Sequence, residues 1–410
     1  MATRNPAVRR GAARSRTRAR AHARPAAVHL GHPAVLIGIT TLALVLLGLV
    51  MILSASSVTS FATYGSSFMF FQRQLIWAAI GLLGFAFFVK LDYHRLKGWG
   101  YGLFILSSLL MLAVLIPGVG MLAGGSSRWL RLGPLSFQPS ELAKLALILF
   151  AADVFSRKKE KTFDELRHTL MPMIPALGIL TFLVMMQPDL GTTVLLGSIG
   201  MGMLFVAGSP LRYIIPIGLS GAGMGVIAAL SSDYRRERVL AFMDPWKDPL
   251  DTGYHTIQSL IALGSGGWFG VGLGASRQKW AYVPNAHTDF IFAILGEEMG
   301  LFGTVVVLGM FGFLAYLGIR TARKAKDRYG MLIASGITIW IAVQALVNIG
   351  AVTGSLPITG VPLPLVSFGG TSLVISLMAM GILINIARQG REPRVSSSRR
   401  TKKHSNSRSG

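Results

Sequence analysis

Three acids in this chain stand where an apolar run begins. Glu141 follows Gln138-Pro139-Ser140, Asp189 sits in Gln187-Pro188-Asp189-Leu190-Gly191, and Asp289 ends Pro284-Asn285-Ala286-His287-Thr288-Asp289. An acid at a helix start complements the helix dipole by about 0.3–1 kcal/mol, and Ser140, Asp189 and Thr288 are natural N-caps. The same carboxylates can also take a proton from a hydroxyl nucleophile. Three of them entering the membrane from one face favour a shared polar site, with Asp289 as its leading acid. Lys144 lies three residues after Glu141, on nearly the same helix face, where it can pair with Glu141 and can also neutralise a phosphate. Arg235, Arg236 and Arg238, then Arg277 and Lys279, precede Asp289. Cations beside carboxylates suit an anionic, phosphate-bearing substrate, and the same side chains also suit headgroup contacts at a membrane interface. His287 is a second candidate base, or a hydrogen-bonding spacer.

Glu297 and Glu298 follow Asp289 on one apolar run. A helix continuous from Asp289 puts Glu297 about 12 Å along the axis, where the two can line one cavity, and turns Glu298 toward a neighbouring helix. Gln344 and Asn348 are i,i+4 neighbours, a spacing suited to interhelical hydrogen bonds. The carboxylates, together with phosphate oxygens, suit a hard divalent cation, magnesium or manganese. No metal-ligating cluster of recognised spacing is present, and no cofactor is required by the residues.

The elements that must position these groups are membrane helices. Hydrophobic residues form 52% of the chain, charged residues 14%, and mean hydropathy is +0.55. About ten apolar runs recur, at 34–56, 69–89, 99–116, 141–155, 170–186, 190–207, 211–230, 289–317, 331–352 and 366–387. Continuous runs near ~20 residues read as spanning helices and exclude a transmembrane barrel, whose segments are short and alternating. The fold class is therefore all-α and polytopic. The membrane body covers 34–388, with basic low-complexity tails at 1–33 and 389–410 and one long outer loop at 231–288. That loop carries Trp246, Tyr254, Trp280 and a glycine cluster from Gly264 to Gly274. These features predict order and a short interfacial helix near 254–263. The glycines follow no strand, so they serve tight turns and not a dinucleotide.

A net charge of +23 raises the question of nucleic acid, but 30 of the 40 Lys and Arg fall on alternate sides of the spans, in one compartment. That asymmetry follows the positive-inside rule, places both tails in the cytoplasm and argues against a nucleic-acid partner. No cysteine is present, which excludes disulfides and thiolate metal sites. The run before Leu53-Ser54-Ala55-Ser56 is too long for a cleaved signal peptide and reads as an anchor.

Several stretches together resemble one family. Arg128-Trp129-Leu130, Gln138-Pro139-Ser140-Glu141-Leu142-Ala143-Lys144, Gln187-Pro188-Asp189-Leu190-Gly191-Thr192, His287-Thr288-Asp289-Phe290 and Pro362-Leu363-Pro364-Leu365-Val366-Ser367-Phe368-Gly369-Gly370 are similar to the SEDS proteins of bacteria, in order from about 35 to 388. Gly272-Leu273-Gly274-Ala275-Ser276-Arg277-Gln278-Lys279 and Thr359-Gly360-Val361-Pro362 resemble the division branch, FtsW, more than the elongation branch, RodA, or the sporulation branch. The resemblance implies a peptidoglycan glycosyltransferase acting on lipid II at the outer leaflet of the cytoplasmic membrane, at the septum. It also implies a class B penicillin-binding protein and other divisome proteins as partners. Asp289 is then the essential acid, with Glu141, Lys144 and Asp189 in the cavity motifs. In such a reaction a carboxylate accepts the proton of the attacking sugar hydroxyl, and cations meet the departing pyrophosphate. Arg235, Arg236, Lys144 or a divalent metal can fill that second role. A lipid II flippase is the rival reading. It requires polar groups through the bilayer, whereas here they gather at the outer end, with Asp153 toward the inside.

Overall fold

Helices form where long apolar runs meet capping residues. The computed structural model describes residues 31–123, 126–133, 135–158, 171–231, 236–237, 241–280 and 286–390. Helix α1 (Pro33–Tyr64) starts on a proline, with the His32 ring accepting from the Ala34 amide at 3.2 Å, and stops at Gly65 in the left-handed region. Then come α2 (Met69–Lys90), a 3-10 turn (Tyr93–Leu96), α3 (Trp99–Val114), α4 (Pro139–Ser156), α5 (Met173–Met186), α6 (Leu190–Ala207) and α7 (Leu211–Leu230). A short α8 (Tyr254–Ser265) lies in the long loop, where an interfacial helix is expected, and α9 (Ile291–Lys324), α10 (Arg328–Val352) and α11 (Gly370–Gln389) complete the chain. Six of these, α1, α2, α6, α9, α10 and α11, are long and apolar enough to cross a membrane by length and composition. Helices α3 and α5 and most of α7 are shorter apolar helices. With α4, which carries Glu141, Lys144 and Asp153, ten helices among the described residues occupy the ten apolar runs.

The segment between α3 and α4 departs from an all-helical reading. Strands β1 (Gly120–Ala123), β2 (Ser126–Leu132) and β3 (Leu135–Phe137) form a small antiparallel sheet in the order β1-β2-β3. Strands β1 and β3 have four and three residues, β2 (Ser126-Ser127-Arg128-Trp129-Leu130-Arg131-Leu132) shows no clean apolar–polar alternation, and β1 carries a register shift at Met121/Leu122. The Thr371 hydroxyl ties the sheet to the start of α11. It donates to the Ser136 carbonyl at 3.2 Å and accepts from the Gln138 amide at 3.2 Å.

The two ends of the bundle differ in their polar groups. At the end where α1 begins and α11 finishes, the tail end, Tyr93 donates its amide to Asn385 at 3.1 Å and its hydroxyl to Asp327 at 2.6 Å. The His94 ring lies 2.8 Å from Asp92 and 3.5 Å from Asp327. Buried Asp153 takes a bidentate bond from Arg157. The opposite, loop end holds Gln74 against the Ser367 carbonyl at 3.4 Å and gathers the three acids described below. Between the ends, small residues let helices approach. A methyl group at Gly381 would lie 2.7 Å from the Phe85 carbonyl, and one at Gly48 would lie 2.6 Å from the Val366 carbonyl. Close backbone contact of this kind is the usual basis of helix association in lipid.

Helix α9 is broken at Gly300, where φ is 67° and ψ −167°. An intact helix would bond the Leu301 amide to the Glu297 carbonyl and the Phe302 amide to the Glu298 carbonyl. Instead Leu301 and Phe302 donate to Gly267 and Trp268 at 2.9 and 3.1 Å, while Glu297 and Glu298 accept from Val271 and Gly272 at 3.0 and 3.1 Å. The glycine loop thus replaces both lost helical bonds with four of its own. Beyond the break, Leu301–Lys324 runs about 36 Å, enough to span a bilayer.

The arm before the break, Ile291–Met299, lies across the loop end. One of its ends meets Asn348, about 30 Å up α10 from Arg328, and the other meets Ser54, about 32 Å up α1 from Pro33. Equal heights mean that the arm runs sideways, so Glu297 is displaced laterally from Asp289 and not down a span axis. The span expected at 289–317 is corrected accordingly, because Gly300 supplies a corner that an apolar period does not reveal.

A methyl group at Gly300 would lie 2.4 Å from the Gly270 nitrogen and 2.6 Å from the Trp268 carbonyl carbon, on a backbone already in the left-handed region. Gly300→Ala is expected to lower stability by about 2 kcal/mol or more. Thermal unfolding in detergent checks this, and an unchanged Tm would rule out the clasp as described.

Candidate functional site

The site is organised by a strand of irregular backbone, Thr359–Pro362, between α10 and α11. Pro362 and Pro364 disfavour helix here, and backbone outside a helix leaves its carbonyls available to neighbours. A methyl group at Gly191 would lie 2.6 Å from the Thr359 carbonyl oxygen, so this strand rests on the first turn of α6, beside Asp189. Gly360 has φ 70°, and a methyl group there would lie 3.7 Å from Asp289 Oδ2. The Val361 carbonyl accepts from Asn348 Nδ2 at 2.8 Å, and the Pro362 carbonyl from Gln344 Nε2 at 2.9 Å. One stretch of backbone therefore touches the surroundings of all three acids.

Asn348 Nδ2 also donates to the Asp289 carbonyl at 2.8 Å, so a single amide joins the strand to the residue that precedes the arm. Asp289 is half-buried and lies in a turn just before the helical residues of α9. One helical turn below Asn348, Gln344 Oε1 accepts from Lys144 Nζ at 2.9 Å and from the Trp340 indole at 2.7 Å. Lys144 also bonds Glu141 at 2.9 Å and sits 5.0 Å from the Trp340 ring centroid. Both members of this pair are fully buried, Lys144 at 1% and Glu141 at 2% exposure. A buried charge pair is tolerated best when its hydrogen bonds are met, and Gln344 and Trp340 supply further contacts to the Lys144 ammonium.

Asp189 caps α6 as expected. Its Oδ1 accepts the Thr192 amide at 3.0 Å and its Oδ2 the Thr192 hydroxyl at 2.9 Å. Arg128, on β2, reaches across to it at 4.0 Å and donates to the Gln187 and Pro188 carbonyls. His287 is wedged between the rings of Phe70 and Phe368, at centroid distances of 4.6 and 5.5 Å, and its carbonyl accepts the Phe368 amide at 2.9 Å. Burial in this apolar slot pushes its pKa down to about 4, so the ring is neutral near pH 7.

Four other candidate residues lie apart from this cluster. Glu297 is buried against the glycine loop, accepting from the Ser276 hydroxyl, the Arg277 amide at 2.8 Å and the Gln278 amide at 3.4 Å. Lys279 is buried too, donating to the Gly274 carbonyl at 2.5 Å and lying 3.9 Å from Glu298. The side chains of Arg277 and Arg236 are exposed, and Arg235 falls outside the described residues. Among the described residues no three His, Asp or Glu side chains group around a metal position. Glu141, Asp189 and Glu297 already hold hydrogen-bond donors, so the acids do not form a ready ligand set for magnesium or manganese, and no step is routed through one.

Arg128, Gln344, Asn348 and Gly360 join the site in the structure but are absent from the sequence-based candidates. The i,i+4 spacing of Gln344 and Asn348 signals a shared face, and only the fold shows that this face holds the strand and Asp289 together. Arg128 lies in a conspicuous motif, yet nothing in the sequence directs it toward Asp189.

The sequence model of the family described as "Cell cycle protein", FtsW, RodA and SpoVE, matches residues 34–392. The chain is 45% identical over 363 residues to "Stage V sporulation protein E" of Bacillus subtilis, covering 88% of this chain and 98% of that protein. It is 42% identical over 340 residues to "Probable peptidoglycan glycosyltransferase FtsW" of a Geobacter species, covering 83% and 92%. Its fold matches a chain of a peptidoglycan synthase complex studied for the coordination of polymerization and crosslinking, with TM-score 0.72, 30% identity and 87% and 98% coverage. It also matches the crystal structure of the rod shape determining protein RodA of Thermus thermophilus, with TM-score 0.63, 28% identity and 87% and 97% coverage. The chain, a polytopic helical membrane protein, belongs to the FtsW/RodA/SpoVE family, the SEDS proteins.

Proposed function

We propose that this chain is a peptidoglycan glycosyltransferase that polymerises lipid II at the outer face of the cytoplasmic membrane, with Asp289 as general base. The loop end is the outer end and both tails are cytoplasmic, as the distribution of Lys and Arg requires. The observation that carries the reading is the junction at Asn348. It fixes the backbone of a half-buried acid whose carboxylate lies beside Gly360. Asp289 takes the proton of a sugar hydroxyl as that oxygen forms a bond to the anomeric carbon of a second lipid-linked disaccharide. The bond from that carbon to the pyrophosphate oxygen breaks, and the lipid pyrophosphate leaves with the electron pair. Direct displacement inverts the anomeric centre and needs no second nucleophilic carboxylate.

Negative charge develops on the departing phosphates, so cations at the loop end stabilise the transition state. Exposed Arg277 and Arg236 and the partly exposed Arg128 are the candidates for this role. Lys144 acts differently, since its ammonium is committed to Glu141 and Gln344. A class B penicillin-binding protein is the partner that crosslinks the new strands, and the septum is the site of action.

Asp289→Asn is expected to lower glycan-strand formation from purified lipid II, in the presence of the partner, by at least about 100-fold. Equal polymer from a well-folded variant would remove Asp289 as the base. His287 yields a separate expectation. Its folded pKa lies near 4, below the 6.5 of an unfolded histidine, so the unfolded chain takes up its proton first as pH falls. The stability this side chain contributes is intact above about pH 6.5 and lost on acidification toward pH 4. His287→Gln should therefore show a shallower fall in Tm between these values than the wild type. Parallel curves would show that His287 titrates normally.

A further inference from the structure

We infer that Glu297 is a positioning residue for Asp289, an assignment that rests on the base role proposed above. Side-chain hydrogen bonds hold the arm and the residue that precedes it near both ends. At one, Asn348 bonds the Asp289 carbonyl at 2.8 Å. At the other, two adjacent carboxylates both hold Ser276, and each has further partners of its own. Glu298 accepts from Ser54 of α1 at 2.5 Å, and Glu297 accepts from the Ser276 hydroxyl and the amides of Arg277 and Gln278.

Three donors converge on a carboxylate that is 2% exposed, so Glu297 has no remaining surface for a substrate. Its charge is stabilised by oriented N–H and O–H dipoles and not by a cation, an arrangement that demands an acceptor at both oxygens. The loop does not need Glu297 to stay in place, because four backbone bonds at the Gly300 break already join loop and helix. What Glu297 adds is the direction of the arm. Its grip lies about 9 Å along the arm from Ile291, and Asp289 lies two residues beyond that end. A pivot at the grip therefore moves Asp289 relative to Gly360 and the strand, which do not share the arm. Misplacement of a reacting group by about 1 Å costs up to about 100-fold in rate.

Glu297→Gln keeps the volume and replaces one acceptor oxygen with a donor that opposes the loop amides. The test compares wild type, Asp289→Asn and Glu297→Gln, each with the transpeptidase partner. Initial polymerisation rates are measured against lipid II concentration, with thermal unfolding alongside. The expected result is a folded Glu297→Gln protein whose kcat falls about 10- to 100-fold while KM stays within about twofold. A lowered Tm with unchanged kcat would make Glu297 merely structural, and a raised KM with unchanged kcat would make it a substrate contact. Either result overturns the inference. An active wild type, an inactive Asp289→Asn and a fully active Glu297→Gln would remove this inference and leave the base assignment standing. No polymer from wild type would remove both. Should Glu297→Gln fail to fold, Ser276→Ala removes one of the three donors and poses the same question. A kcat loss below about tenfold at constant KM supports the grip, and an unchanged kcat overturns it.

Discussion

Breaking a helix in a membrane protein releases backbone donors and acceptors that lipid cannot satisfy, so a break survives only where other protein groups replace the lost bonds. At Gly300 the glycine loop takes over both amides and both carbonyls that the break frees. The position of the rest of the loop end follows from that exchange. It turns Ile291–Met299 out of the span direction and lays it across the bundle. Asp289 then falls beside α10 and the Thr359–Pro362 strand, and Glu298 falls beside α1. Without the corner, the acids from Asp289 to Glu298 would run down into the bilayer, where each charge is costly and water is scarce. With it, they remain at one level near the surface.

Polar side chains at this level divide into two kinds. Glu141, Lys144, Asp189, Glu297 and Glu298 spend their charges on the protein itself, and all are at least nine-tenths buried. Their bonds join helices that apolar packing alone would leave free to slide, since lipid tails are as apolar as the residues that face them. The Glu141–Lys144 pair, for example, is connected through Gln344 to the Pro362 carbonyl, and so α4, α10 and the strand are locked together. Removing one partner of such a pair strands a buried charge, a penalty of about 3–5 kcal/mol. Cations that could meet a phosphate are exposed Arg277 and Arg236 and the partly exposed Arg128.

Much of this was legible in the sequence. Ten apolar runs correspond to ten helices, the capping role of Asp189 follows from its place before Leu190-Gly191-Thr192, and the Glu141–Lys144 spacing predicts the ion pair that forms. A short helix near 254–263 is where α8 lies. What stayed hidden depends on contacts between distant segments. The Gly300 corner looks like one more glycine in a helix with many, because its meaning lies in a loop some thirty residues earlier. For the same reason, the axial separation predicted between Asp289 and Glu297 became a lateral one. The sheet at 120–137 is built from two very short strands and a third, Ser126–Leu132, without clean alternation. Arg128 and Asp189 come together only because that sheet closes over the start of α6.

Asp289 differs from its acidic neighbours in how it is held, and this difference bears on its chemistry. Asp189 and Glu297 are oriented through their carboxylate oxygens, which accept several N–H and O–H bonds each. At Asp289 the main-chain carbonyl is anchored as well, by an amide that also grips the strand opposite. Asn348 fixes where the residue stands, Gly360 keeps bulk away from Oδ2, and the arm sets the direction from which the side chain approaches. A base must be held within hydrogen-bond reach of the proton it takes, and a backbone fixed by its neighbours contributes to that placement. Among the acids at the loop end, Asp289 has a backbone anchor of this kind.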